Sequence, residues 1–200
     1  LVNQDSRLLC ISIDKGSIIW NIRSISAFIK SQNFLALAIS KIGDIFMLNS
    51  SGDLYKINSQ NGSVYWTTNV TSAMVSSNDL FKSSEIVLEN KNVYFSTKSS
   101  IFSFNANSGL LNWSTKFNSS NTPIIDGENI FSISDNGYFV NFDKSNGKMI
   151  WSTNIFKILK TRKQKTSITG FILGSGKIYA TTLNGYLIVC SANNGKVESF

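Results

Sequence analysis

The stretch Val140-Asn-Phe-Asp-Lys-Ser-Asn-Gly-Lys-Met-Ile-Trp151 decides the fold, because it recurs. The same pattern is written at Leu9–Trp20, Tyr55–Trp66, Phe102–Trp113 and Ile188–Ser199, and the five segments align on one glycine without a gap. Those glycines, Gly16, Gly62, Gly109, Gly147 and Gly195, are spaced by 46, 47, 38 and 48 residues. Trp20, Trp66, Trp113 and Trp151 stand four residues beyond the first four, and Ser199 takes that place in the fifth. Self-similarity at such a period marks a repeat architecture, in which each copy is one supersecondary unit.

Within each copy the apolar residues alternate before the glycine: Leu9/Ile11, Tyr55/Ile57, Phe102/Phe104, Val140/Phe142 and Ile188/Cys190. A spacing of two places them on one face of a strand. Asn, Asp and Ser crowd the next four positions, where they favour a tight turn, and glycine supplies the positive φ. The chain returns as a second strand with Val64/Trp66, Leu111/Trp113 and Met149/Trp151 at alternate positions. Each copy is therefore a hairpin ending in tryptophan.

Two further strand candidates precede each hairpin: Phe34–Ile39 and Asp44–Leu48, Glu85–Glu89 and Asn92–Ser96, Pro123–Gly127 and Asn129–Ser134, Gly170–Gly174 and Lys177–Thr181. Four short strands per repeat predict an all-β chain, a β-propeller of four-stranded antiparallel blades. The expected blade ends lie near 20, 66, 113, 151 and 199, about four complete blades after a leading hairpin. No segment carries a capped helical period; Phe156–Lys163 comes nearest and is short and basic. A chain that opens at Leu1 rather than Met, with this repeat count, is expected to be part of a single domain, an eight-bladed ring.

The composition excludes several chemistries. The 200 residues contain no histidine, which removes Ser-His-Asp and Cys-His catalysis and histidine-ligated metals. Two cysteines, Cys10 and Cys190, exclude a disulfide scaffold or a four-cysteine metal site, and both read as ordinary strand residues four repeats apart. The carboxylates are scattered, no pair stands out as an acid/base couple, and there is no EF-hand spacing or phosphate loop. No catalytic, cofactor-binding or metal-ligating residue is assigned. An apolar fraction of 42% with 16% charged residues describes a globular chain. No run approaches the 18 apolar residues of a membrane span.

Lys+Arg 19 against Asp+Glu 12 leaves a formal charge of +7, and its densest part is Lys157, Lys160, Arg162, Lys163 and Lys165. This cluster reads either as a loop that docks on an acidic partner or as a solvated loop. The four tryptophans read as blade packing, with a stacking platform for a quinone or bases as the alternative. No DNA- or RNA-binding motif appears.

The hairpin pattern, apolar-x-apolar-Asn/Asp-x-x-x-Gly-x-x-x-Trp, resembles the pyrroloquinoline-quinone-like (PQQ-like) propeller repeat. Within that superfamily the chain is most similar to the BamB family of outer-membrane assembly lipoproteins. The local match is Trp151-Ser-Thr-Asn154, then Thr161–Thr166, then Gly185-Tyr-Leu187. The resemblance implies that the tryptophan of the outer strand docks on the neighbouring blade. It implies a non-catalytic periplasmic scaffold at the inner face of the outer membrane of a Gram-negative bacterium. The implied partner is the β-barrel assembly core, bound through propeller loops, with membrane association only through a lipid anchor that this chain does not carry. No cofactor is expected. Two other readings share the repeat. One is a fragment of a PQQ- and calcium-dependent quinoprotein dehydrogenase, which usually carries an adjacent-cysteine pair and longer blades. The other is the ectodomain of a sensor protein. Fold and function are separable here, since enzymes and scaffolds both use such repeats.

Overall fold

A computed structural model describes residues 7–23, 36–70, 82–157 and 166–200. All regular structure among the described residues is β-strand. A leading hairpin pairs β1 (Arg7–Ile11) with β2 (Ile18–Arg23). Four antiparallel sheets follow, each with its strands in chain order. The first contains β3 (Ala36–Ile39), β4 (Ile45–Leu48), β5 (Asp53–Ile57) and β6 (Val64–Asn69). The second contains β7 (Val87–Glu89), β8 (Asn92–Ser96), β9 (Ser100–Asn105) and β10 (Leu111–Lys116). The third contains β11 (Ile124–Asp126), β12 (Asn129–Ile133), β13 (Tyr138–Asp143) and β14 (Met149–Asn154). The last contains β15 (Ile168–Gly174), β16 (Lys177–Thr182), β17 (Leu187–Ser191) and β18 (Val197–Ser199). No strand pairing joins one sheet to another among the described residues, so side chains hold the blades together.

The central strands of the first three blades are buried on both faces, whereas β16 and β17 of the last blade bury alternate residues, Ile178, Ala180, Ile188 and Cys190. Val93, Tyr94, Phe95 and Ser96 of β8 are all covered, as are Phe139, Val140, Asn141 and Phe142 of β13. Successive residues point to opposite faces, so this pattern requires a neighbour on each side. One apolar layer joins Phe46, Leu48 and Leu54 of the first blade to Val93, Phe95, Phe102 and Phe104 of the second. A second layer joins Tyr94, Ile101 and Trp113 to Ile130, Val140 and Phe142. A third joins Phe131, Ile133 and Phe139 to Ile178, Ala180, Ile188 and Cys190. Each layer takes alternate residues of the flanking strands, and this repetition stacks blades instead of closing one sandwich.

The expected inward pairs before the glycine are buried in four blades: Tyr55/Ile57, Phe102/Phe104, Val140/Phe142 and Ile188/Cys190. The leading hairpin departs from this. Leu8 is its buried residue, whereas Leu9 is half-buried and Ile11 is 39% exposed. The return strands also depart from simple alternation. Every one carries a register shift just before the tryptophan position, at Ile19, Tyr65, Asn112, Ile150 and Glu198. Such an extra residue bends the outer edge and spoils it as a template for another strand. Val64, Leu111 and Met149 are therefore exposed, although they precede the packed tryptophans by two.

Candidate functional site

Each hairpin turn is built the same way. The amide of Asn58 donates to Ser63 O and that of Gly62 to Asn58 O; the same pair of bonds recurs around Asn105, Asp143, Ser191 and Ser12. Side chains complete the turn: Asn58 Oδ1 accepts from the amides of Gln60 and Asn61, and Asn105 Oδ1 from those of Asn107 and Ser108. In Asp143 the Ser145 hydroxyl and then the Ser145 amide hold the carboxylate, which keeps its pKa below the ordinary value.

The glycine at the turn is where the preceding blade docks. A Cβ at Gly62 would lie 2.9 Å from Trp20, at Gly109 2.7 Å from Trp66, at Gly147 2.4 Å from Trp113 and at Gly195 2.6 Å from Trp151. The indole N–H then finds a carbonyl of the same turn: Trp20 Nε1 donates to Ser59 O at 3.0 Å, Trp66 to Ala106 O at 3.3 Å and Trp113 to Lys144 O at 3.0 Å. A threonine two residues on adds a second bond, Thr68 Oγ1 to Gly109 O at 2.8 Å and Thr115 Oγ1 to Gly147 O at 2.7 Å. Thr153 occupies the same place against Gly195. At this last junction the indole meets the glycine through Cε3 and Cζ3, and the buried Trp151 Nε1 has no partner among the described residues.

The docking of the second blade on the third carries an ionic clasp. Lys144 Nζ lies 3.4 Å from Glu89 of the second blade and 3.5 Å from Glu128 of the third, and also donates to Gly127 O. Burial works against the Lys144 charge, but the two carboxylates outweigh it and raise its pKa above the ordinary value. Lys56 and Asp44 pair at 3.0 Å within the first blade, and Lys177 and Glu198 at 2.7 Å in the last.

Little catalytic equipment is gathered in one place. Among the described residues no group of three or more Cys, Asp or Glu side chains is arranged to hold a metal ion. Cys10 and Cys190 are free thiols, and burial pushes Cys190 up to about 11, which makes it a poor nucleophile. Of the basic cluster, Lys157 is exposed after the turn in which Asn154 Oδ1 accepts from the amides of Phe156 and Lys157. Lys160, Arg162, Lys163 and Lys165 lie outside the described residues. What the arrangement can do is present loops at the two ends of a rigid stack, the usual location of binding function.

Four-stranded blades locked by tryptophan against glycine define a β-propeller of the PQQ-like repeat class. The family described as outer membrane protein assembly factor BamB matches residues 1–153, and the chain belongs to it. BamB from Moraxella catarrhalis has a similar structure, with a TM-score of 0.81 at 13% identity over 99% of this chain. The chain spans 59% of the length of that protein. Quinohemoprotein alcohol dehydrogenase from Comamonas testosteroni is similar over 100% of this chain and 40% of its own, with a TM-score of 0.72 at 13% identity. The computationally designed Ika4 protein is similar over 80% of this chain and 92% of its own, with a TM-score of 0.59 at 11% identity. No curated protein sequence matches the chain.

Proposed function

We propose that this chain is part of a single propeller domain that serves as a non-catalytic periplasmic scaffold. It binds the β-barrel assembly machinery at the inner face of the outer membrane and assists the folding and insertion of outer-membrane proteins. The observation that carries the reading is membership of the BamB family over residues 1–153. The physics is compatible with it. Repeated indole docking gives a stiff frame, so binding energy is not spent on ordering the loops' base. The segment from Lys157 to Lys165, with Lys160, Arg162 and Lys163, is the proposed contact with an assembly core of BamA type. Co-purification tests this. The chain is expected to retain the assembly core, and reversal of Arg162 and Lys163 to Glu is expected to weaken retention. Unchanged retention by that variant would remove this segment from the interface.

A quinoprotein dehydrogenase is the second reading, favoured by the likeness to the Comamonas testosteroni enzyme over the whole chain. The residues described here do not fit that cofactor set: the free cysteines lie on different blades, and no described carboxylate group is arranged for calcium. Dye reduction after addition of PQQ and Ca²⁺ would establish the enzyme reading against this one.

A further inference from the structure

The strand directions assign the described charged residues to one of two ends. The glycine turns and the short β3–β4, β7–β8, β11–β12 and β15–β16 turns form one end; the β4–β5, β8–β9, β12–β13 and β16–β17 turns and the C-terminal ends of β6, β10 and β14 form the other. The ion pairs of Lys56, Lys144 and Lys177 all sit at the glycine-turn end or close to it. Lys15, Lys41, Lys91, Lys148 and Lys196 at that end have no ion pair among the described residues, but they stand among Asp14, Asp44, Glu89, Asp126, Glu128, Asp143 and Glu198. At the opposite end Lys82, Lys98, Lys116 and Lys157 also have no ion-pair partner among the described residues, and fewer carboxylates accompany them.

Three of these four lie on the second blade. Ser83 bridges to Thr97, which sets Lys82 beside Lys98, and Lys116 pairs across the sheet with Ser100 while Phe117 N donates to Ser99 O. Lys157 follows the equivalent bond of the next blade, Ile155 N to Gly137 O. Lys98, Lys116 and Lys157 are exposed. The carboxylates at this end are fewer than the lysines: Asp53 accepts from Asn49 and Asn69, and Asp135 accepts from the amide and hydroxyl of Ser120. Glu85 is the other described carboxylate at this end.

We infer that this end of the propeller, through Lys82, Lys98, Lys116 and Lys157, is an electrostatic docking face for a partner protein that presents an acidic surface. Like-signed charges left without partners on adjacent blades repel one another, and a complementary surface relieves that repulsion while it steers encounter. A bilayer surface would also need apolar groups inserted among the cations. The exposed large apolar side chains described at this end include Tyr138, Leu183, Tyr186 and Leu187, which belong to the third and fourth blades and not to the blade of Lys98 and Lys116. The inference extends the scaffold reading by naming the chemistry of the partner's surface, and it rests on that reading for the partner's identity.

The test uses the full chain, Lys98→Glu/Lys116→Glu/Lys157→Glu, and a control reversal at the other end, Lys41→Glu/Lys148→Glu/Lys196→Glu. The probes are the purified β-barrel assembly core, poly-L-glutamate and phosphatidylglycerol vesicles. At low ionic strength the first variant is expected to bind the core and poly-L-glutamate about ten-fold or more weakly than the native chain, with the difference shrinking as salt is added. The control variant is expected to change either affinity less than about two-fold. Equal losses in the two variants would show a net-charge effect and overturn the face. Tighter binding to the vesicles than to poly-L-glutamate would also overturn it, in favour of a membrane surface. If the native chain fails to bind the core but still discriminates on poly-L-glutamate, the scaffold reading falls and the docking face stands.

Discussion

The indole of Trp113 lies so close over Gly147 that a methyl group there would sit 2.4 Å from its Cε3 atom. The two residues belong to adjacent blades and are 34 positions apart. Glycine is needed twice over at this position, for the φ of +70° and for the absent Cβ. Gly147→Ala is therefore expected to destabilise by about 3 kcal/mol or more, from left-handed strain and overpacking together. Gly16 has a similar φ of +63° but nothing within 4 Å of its Cβ position. Gly16→Ala should lose only about 1 kcal/mol, the backbone part alone. Urea unfolding of the two variants checks the difference.

Tryptophan substitutions should separate the junctions. Trp113→Phe removes the bond to Lys144 O and leaves that carbonyl short of a donor, whereas Trp151→Phe removes an N–H that has no partner among the described residues. Trp113→Phe is expected to be the more destabilising by about 1–2 kcal/mol. Equal losses would mean that the indole bond contributes nothing. Trp113→Ala should lose about 3–5 kcal/mol, as for other buried aromatics.

Alkaline pH should weaken the fold through Cys190. Burial raises this thiol from 9.0 to about 11, so between those values the unfolded chain releases a proton that the folded chain keeps. Stability from this group is thus fully present below pH 9 and falls as pH rises toward 11. Burial raises Tyr94 as well and adds to the decline. Cys190→Ala should flatten the pH dependence of the melting temperature in that window, and the thiol of the native chain should resist alkylation until the chain unfolds.

The Lys144 clasp should be visible as a salt effect. Lys144→Met removes the contacts to Glu89 and Glu128, and its destabilisation should shrink as ionic strength screens the pair in the native chain. A loss independent of salt would assign the effect to packing of the lysine stem instead.

Much of the blade is legible in the sequence. The glycine period and the alternation in Phe102/Phe104 and Val140/Phe142 contain the hairpin, because turn chemistry and strand faces are local properties. The burial of Ser96, Ser132 and Asn141 was not legible, because a polar side chain on a strand does not announce a neighbouring blade. The bulges at Tyr65 and Ile150 were missed for a related reason: one extra residue changes the facing of Val64 and Met149 without altering the composition. The roles of Thr68 and Thr115 had a signal, the spacing Trp-x-Thr in three copies, but their acceptors are backbone carbonyls that carry no residue signature. For the candidate interface, the density of Lys157 to Lys165 was plain in the sequence. The company that Lys82, Lys98 and Lys116 keep with Lys157 at one end depends on strand direction and register.

The central claim, that this propeller is a binding scaffold, is tested most directly by titrating the chain against purified β-barrel assembly core and following complex formation by biolayer interferometry. The account predicts a saturable complex that forms without any added quinone or metal ion. The absence of a complex at every concentration, together with quinone-dependent dye reduction by the chain, would contradict it.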